Sequence, residues 1–153
     1  MSGATLSVCT RCRPAGWTGP DEDRPGAVLA NELEAALEAG KLAHDIEFRR
    51  VRCMSQCLRP CVISLGDDTR YTYLFGDLAP DAHAQDVLQT VALWLTTPEG
   101  YITRQERPES MRTGILGRLP PLESSHELVV SRRQFAAGAN PSVDRANKSG
   151  DVS

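Results

Sequence analysis

A chain of 153 residues is long enough for one domain with a proper core and too short for two comfortable ones. Its hydrophobic fraction of 41% is ordinary for a globular protein, and a formal charge of -3 gives no electrostatic case for binding nucleic acid or an anionic membrane. The opening residues, Met1 to Thr5, have neither the basic start nor the apolar run of a secretion signal, and no apolar stretch approaches membrane-spanning length, so a cytoplasmic location is expected.

Leu6-Ser7-Val8 alternates apolar and polar and reads as a strand that delivers Cys9 at its end. Arg13 to Pro20 is too rich in proline and glycine for a helix to start within it, so it is a loop. A helix is expected from about Asp23-Arg24-Pro25, with Asp23 as cap and Pro25 in the first turn, to about Gly40. Val28, Leu29, Leu33, Ala36 and Leu37 form its packing face, while Glu32, Glu34 and Glu38 lie largely elsewhere. Asp45 to Val51 is a second strand, carrying Cys53 just past its end. Cys61 to Leu65 and Tyr71 to Phe75, separated by the turn Gly66 to Arg70, form a hairpin. Pro80-Asp81 opens a second helix with Asp81 as cap and Val87, Leu88, Val91, Trp94 and Leu95 on its apolar face, and Pro98-Glu99-Gly100 closes it.

The order is therefore strand, helix, strand, strand, strand, helix: an α/β fold. A strand-helix-strand start implies a parallel pair joined by a right-handed crossover, to which the hairpin adds antiparallel strands. The expected product is a small mixed four-stranded sheet covered by two helices. Residues 98–122 carry Arg104, Arg107, Arg112 and Arg118 among Tyr101, Ile102, Ile115 and Leu116, too apolar for a simple tail, and read as an ordered C-terminal extension. Residues 123–153 turn to Ser, Asn, Gly and charge, and disorder is expected over most of them.

All five cysteines lie in two short runs, Cys9-Thr10-Arg11-Cys12 and Cys53-Met54-Ser55-Gln56-Cys57-Leu58-Arg59-Pro60-Cys61. Two thiols separated by two or three residues present both sulfurs from one loop to a common centre, as a metal or iron-sulfur site requires. In a reducing compartment stable disulfides are disfavoured, and an odd count leaves one thiol unmated in any fully paired scheme. The ends of the first two strands should bring the runs together, where they would hold a cofactor. Arg11, Arg13, Arg52 and Arg59 place positive charge nearby, either as a solvated rim or to receive an acidic partner.

This order of elements, with cysteines after the first strand and a Cys-x-x-x-Cys loop before the hairpin, resembles the thioredoxin-like 2Fe-2S ferredoxins over roughly residues 5–97. More closely, Cys9-Thr10-Arg11-Cys12-Arg13, Arg24-Pro25-Gly26-Ala27, the Cys53 to Cys61 run, Tyr73-Leu74-Phe75-Gly76-Asp77-Leu78 and Arg107-Pro108-Glu109 are similar to an uncharacterised bacterial family of small predicted metal-binding proteins. The resemblance implies a thioredoxin-like domain with a 2Fe-2S cluster, Cys9 and Cys12 on one iron and Cys53 and Cys57 on the other. It further implies single-electron carriage between redox partner proteins without turnover of its own, and a homodimer. The first two ligands stand closer in sequence than in the better-known ferredoxins. Cys61 is read first as a buried structural thiol, and second as an alternate ligand that replaces one of the four or exchanges with it.

Three other classes stay open. Cys-x-x-Cys with Cys-x-x-x-Cys closes a four-thiolate zinc site in a structural or interaction domain. A dithiol oxidoreductase is disfavoured, because no helix starts directly at Cys9-Thr10-Arg11-Cys12 to lower a thiol pKa, although Pro60 stands before a strand as a cis-proline does. A metal accessory protein is the third, since the similar family is associated with cobalamin and cobalt genes. His44, His83 and His126 have no metal-ligand spacing and are assigned no role. Trp17 and Trp94 read as packing residues, with shielding of a cluster a lesser reading for Trp17.

Overall fold

The structure, a computed structural model, describes residues 3–42 and 46–136. The expected strand start at Asp45, the residue His44 and the tail beyond position 136 lie outside the described residues. The strands are β1 Thr5–Cys9, β2 Glu47–Val51, β3 Ile63–Gly66, β4 Thr72–Phe75 and β5 Ile115–Leu119; the longer helices are α1 Pro25–Glu38 and α2 Pro80–Thr96. Two short helices, α3 Glu109–Thr113 and α4 Arg132–Ala136, follow in the C-terminal third.

The sheet has five strands in the order β2-β1-β3-β4-β5. Its first four strands realise the expected plan: β1 and β2 are parallel around the α1 crossover, β3 runs antiparallel to β1, and β4, antiparallel to β3, completes the hairpin. The expectation of four strands is corrected by β5, which the extension lays antiparallel against β4, pairing Thr72 with Leu119 and Phe75 with Ile115. An irregular register between Leu74 and Phe75 accommodates it. An edge strand facing solvent on its far side needs little apolar content, so Gly117 and Arg118 sit in it without cost.

Alternation gives the sheet one apolar and one polar face. Leu6, Val8, Ile63, Leu65, Tyr73 and Phe75 are buried, whereas Thr5, Ser7, Arg49, Ser64 and Thr72 line a shallow polar depression on the other face. The apolar face is covered by α1 and α2, which pack against each other. Leu29, Ala30 and Leu33 of α1 and Val87, Leu88, Val91 and Trp94 of α2 recur at three- and four-residue spacing, one stripe per helix. Trp94 Nε1 donates to the Tyr71 carbonyl at 2.7 Å, so the indole is buried without an orphaned donor.

Both helix starts differ from expectation. Asp23 belongs to a 3-10 turn, Asp21–Asp23, and Arg24 occupies the cap position of α1; Ala79 occupies that of α2, with Asp81 already in the first turn. Proline explains this, because Pro25 and Pro80 take the first helical position, whose N–H has no intrahelical partner in any helix. At α2 the exposed backbone donor is met by His83, whose Nδ1 accepts the Ala79 N–H at 2.9 Å.

The extension is tied to the core. Tyr73 Oη accepts the Ile102 N–H at 2.9 Å and donates to the Ile102 carbonyl at 3.3 Å, while Ile102 and Met111 are fully buried. Farther on, the Glu99 carboxylate accepts from Ser124 Oγ at 2.6 Å and from Ser125 N–H and Oγ at 3.1 Å each. The His126 ring stacks on Tyr101 at 4.2 Å. Among the described residues no helix is long and apolar enough to cross a membrane.

Candidate metal centre

Strand directions bring the cysteine runs together. Because β1 runs parallel to β2 and antiparallel to β3, the end of β1, the end of β2 and the start of β3 share one edge of the sheet. Cys9 is the last residue of β1, Cys53 lies two residues beyond β2, and Cys61 two residues before β3. Backbone bonds lock the junction: Cys9 N–H donates to the Val62 carbonyl at 3.0 Å and Thr10 N–H to the Val51 carbonyl at 2.9 Å.

The Cys9–Cys12 loop is seated on the first turn of α1. Gly26 N–H donates to the Cys12 carbonyl at 3.0 Å. The approach is so close that a Cβ on Gly26 would lie 2.2 Å from the Cys9 carbonyl oxygen and 3.1 Å from Cys12 Cβ, so only glycine fits. The intervening Pro- and Gly-rich residues loop out and return, and a helix N-terminus thus reaches the Cys12 backbone although none follows the motif in sequence. The Gly26 N–H meets the Cys12 carbonyl and not its sulfur. Burial, then the hydrogen bond and proximity of Cys9, push the Cys12 thiol up to about 12, against which a backbone hydrogen bond from Val62 acts weakly.

The second loop is anchored at both ends. Val51 closes it through Thr10, and Cys61 and Leu78 exchange backbone bonds of 3.1 and 3.3 Å. Arg59 pairs with Asp77 through Nε at 2.6 Å, and its carbonyl accepts the Asp77 N–H at 2.9 Å. Ser55, midway between Cys53 and Cys57, takes the left-handed backbone conformation with φ of 59°, which turns the loop so that both cysteines come to one cleft. The cis peptide of this segment is the Pro60–Cys61 bond, after the proline rather than before it.

A cleft of about 740 Å³ lies between the loops, lined on one side by Cys12 and on the other by Cys53 and Cys57. Cys9, buried beneath, is a free thiol hydrogen-bonded to the Cys12 thiol. Cys9, Cys12 and Cys61 are buried and Cys53 and Cys57 exposed. Cys61 lies inward, near enough to Cys9 that burial first and Cys9 second push its thiol up to about 12. Among the described residues, no three His, Cys, Asp or Glu side chains stand within coordinating reach of one point. The candidate donor set is Cys12, Cys53 and Cys57 on the cleft, with Cys9 buried behind Cys12. Soft thiolates in that number suit a thiophilic metal or an iron-sulfur cluster, and Cys9, Cys12, Cys53 and Cys57 are the residues that would hold it.

One contributor was not evident from sequence spacing. Arg24, brought in by α1, lines the cleft beside Arg11, Arg13 and Arg52, whereas Arg59, expected at the rim, is turned away to Asp77. Trp17 walls the same cleft half-exposed, its carbonyl accepting from Arg13 at 3.4 Å. The quoted Arg24-Pro25-Gly26-Ala27 motif was the one available signal for the α1 contribution. His83 and His126 lie away from the cleft, in local hydrogen-bond and stacking roles.

Fold and site together define a small α/β domain, a five-stranded mixed sheet with two helices on one face and cysteine loops at one edge. Residues 6–121 match the family described as a protein of unknown function, DUF1636, and the chain belongs to that family. No curated protein matches it. Among solved structures it is similar to the thioredoxin-like 2Fe-2S ferredoxin from Aquifex aeolicus, at 18% identity and a TM-score of 0.48 over 79% of this chain and 97% of that one. A second structure of that protein, the wild type, gives 17% identity and 0.48 over 74% and 96%. A cysteine-to-serine variant of it gives 14% and 0.49 over 75% and 99%.

Proposed function

We propose that this protein is a ferredoxin-like electron carrier whose 2Fe-2S cluster is held by Cys9, Cys12, Cys53 and Cys57. The observation that carries the reading is the gathering of thiols at one sheet edge: Cys12 from the loop after β1 and Cys53 and Cys57 from the loop after β2 line one cleft, with Cys9 buried behind Cys12. A dinuclear cluster takes two thiolates at each iron, and each loop supplies one such pair. When bound, the cluster supplies one-electron redox chemistry at a site near the surface. The chain orients the ligands through the strand ends and the Gly26 seat, aims the Val62 N–H at the Cys12 sulfur, and surrounds the site with guanidinium groups. Backbone donors and positive charge both stabilise the more negative, reduced state and raise the potential.

The cytoplasm and a redox partner on each side of the carrier belong to the same reading. The test is a serine series. Cys9→Ser, Cys12→Ser, Cys53→Ser and Cys57→Ser should each lose or badly destabilise the visible chromophore, while Cys61→Ser retains it. Bleaching by Cys61→Ser alone would overturn the ligand assignment.

A zinc-binding structural domain is the second reading, favoured by the same four thiols. It predicts a colourless protein whose fold, rather than potential, depends on the metal.

A further inference from the structure

The rim of the cysteine cleft has a charge that the chain as a whole does not. Arg11, Arg13, Arg24 and Arg52 line the cleft and the smaller depression adjoining it, and the one acidic side chain among the lining residues is Asp21, already paired with Arg24 at 2.7 Å. Glu22 and Asp23 follow Asp21 in its 3-10 turn but line neither depression. Four guanidinium groups against one carboxylate make a positive mouth on a molecule of net charge -3. Among the described residues neither Arg11 nor Arg52 has a side-chain ion pair or hydrogen bond, so both are available to an incoming carboxylate. Leu58 follows Cys57, which lines the cleft, at the corner of a turn closed by Arg59 N–H on the Gln56 carbonyl at 3.0 Å, and is 94% exposed. One exposed leucine is ordinary on any surface. Held on an anchored turn directly after Cys57, it adds an apolar contact at the edge of a face whose charge the arginines set.

Resting on the electron-carrier reading, we propose that this face, formed by Arg11, Arg13, Arg24, Arg52 and Leu58, is the docking surface for a protein redox partner that presents carboxylates around an apolar depression. A second copy of the chain is disfavoured by symmetry. In a two-fold contact centred here the patch meets itself, and arginines face arginines.

The experiment uses the full chain as purified anaerobically and two protein probes of opposite charge: flavodoxin, an acidic flavin carrier, and cytochrome c, a basic haem carrier. Calorimetric titration at low and moderate salt reads the affinity, and the visible spectrum with dithionite reads the cluster. Flavodoxin should bind, and weaken about tenfold or more between 20 and 200 mM salt, because exposed charge pairs are screened over that range. R11E/R52E should weaken it by about tenfold or more with the spectrum unchanged, and Leu58→Asp by severalfold with little change in salt dependence. Cytochrome c should not bind. A coloured, bleachable protein that fails to bind flavodoxin, binds it equally after R11E/R52E, or prefers cytochrome c, overturns the docking surface alone. So does a dimer that Leu58→Asp dissociates. A colourless protein overturns the electron-carrier reading and this inference with it.

Discussion

Gly26→Ala is the substitution whose sign best tests how the centre is built. In an ordinary helix position alanine is better than glycine by about 1 kcal/mol, so propensity alone predicts stabilisation. Here the added Cβ would lie 2.2 Å from the Cys9 carbonyl oxygen, with the Cys12 backbone nitrogen and Cβ at 3.1 Å. An ordinary carbon-oxygen contact is about 3.3 Å, so α1 and the Cys9–Cys12 loop must part by about 1 Å. The obstructing atoms belong to backbone held by the Cys9-to-Val62 and Gly26-to-Cys12 bonds, and no rotamer change relieves them. Overpacking of this kind costs about 1–3 kcal/mol or more, which outweighs the propensity gain, and we expect a net loss of about 2 kcal/mol. For a domain of this size that is a fall in melting temperature of about 6 °C. Displaced Cys9 and Cys12 should also hold the chromophore poorly. Thermal melts followed by far-ultraviolet circular dichroism, with visible absorbance per chain, measure both. A variant as stable as the parent, with its chromophore intact, would refute the seating of the cysteine loop on α1.

Two further outcomes follow from the same geometry. The thiols of Cys12 and Cys61 are pushed from 9.0 up to about 12, so metal-free protein holds protons there that the unfolded chain releases. That stability is fully present below pH 9 and lost as pH rises toward 12; urea midpoints measured from pH 7 to 11 should fall over the alkaline part, and a flat profile would contradict the burial of these thiols. Glu99→Ala removes the acceptor for Ser124 and Ser125. Limited proteolysis should then cut residues 123–130 faster while the cluster spectrum is unchanged; equal rates would mean that the carboxylate does not hold this segment.

How much of this was legible in the sequence depended on whether the signal was local. Strand residues Leu6 and Val8, the Ile63–Gly66 and Thr72–Phe75 hairpin and the cysteine spacing are local, and strand polarity alone sufficed to bring Cys9 and Cys53 to one edge. The fifth strand was not legible, because Gly117 and Arg118 break the alternation and β5 exists only by pairing with β4. Nor was the contact of α1 with Cys12: nothing short of the three-dimensional path shows that the Arg13 to Pro20 loop returns Gly26 to the cysteine backbone. For the same reason Arg59, expected at the rim, is captured by Asp77, and Arg24, of which nothing was expected there, is carried in by a helix start. Aspartates at Asp23 and Asp81 suggested caps by residue type, but Pro25 and Pro80 set the helix starts.

The central claim, a 2Fe-2S centre on two cysteine pairs, is tested most directly by iron, sulfide and zinc analysis with a visible spectrum on protein purified without oxygen or chelator. The account predicts about two irons and two sulfides per chain and a red-brown protein whose visible bands bleach with dithionite. A colourless protein with one stoichiometric zinc would contradict it and make the centre structural.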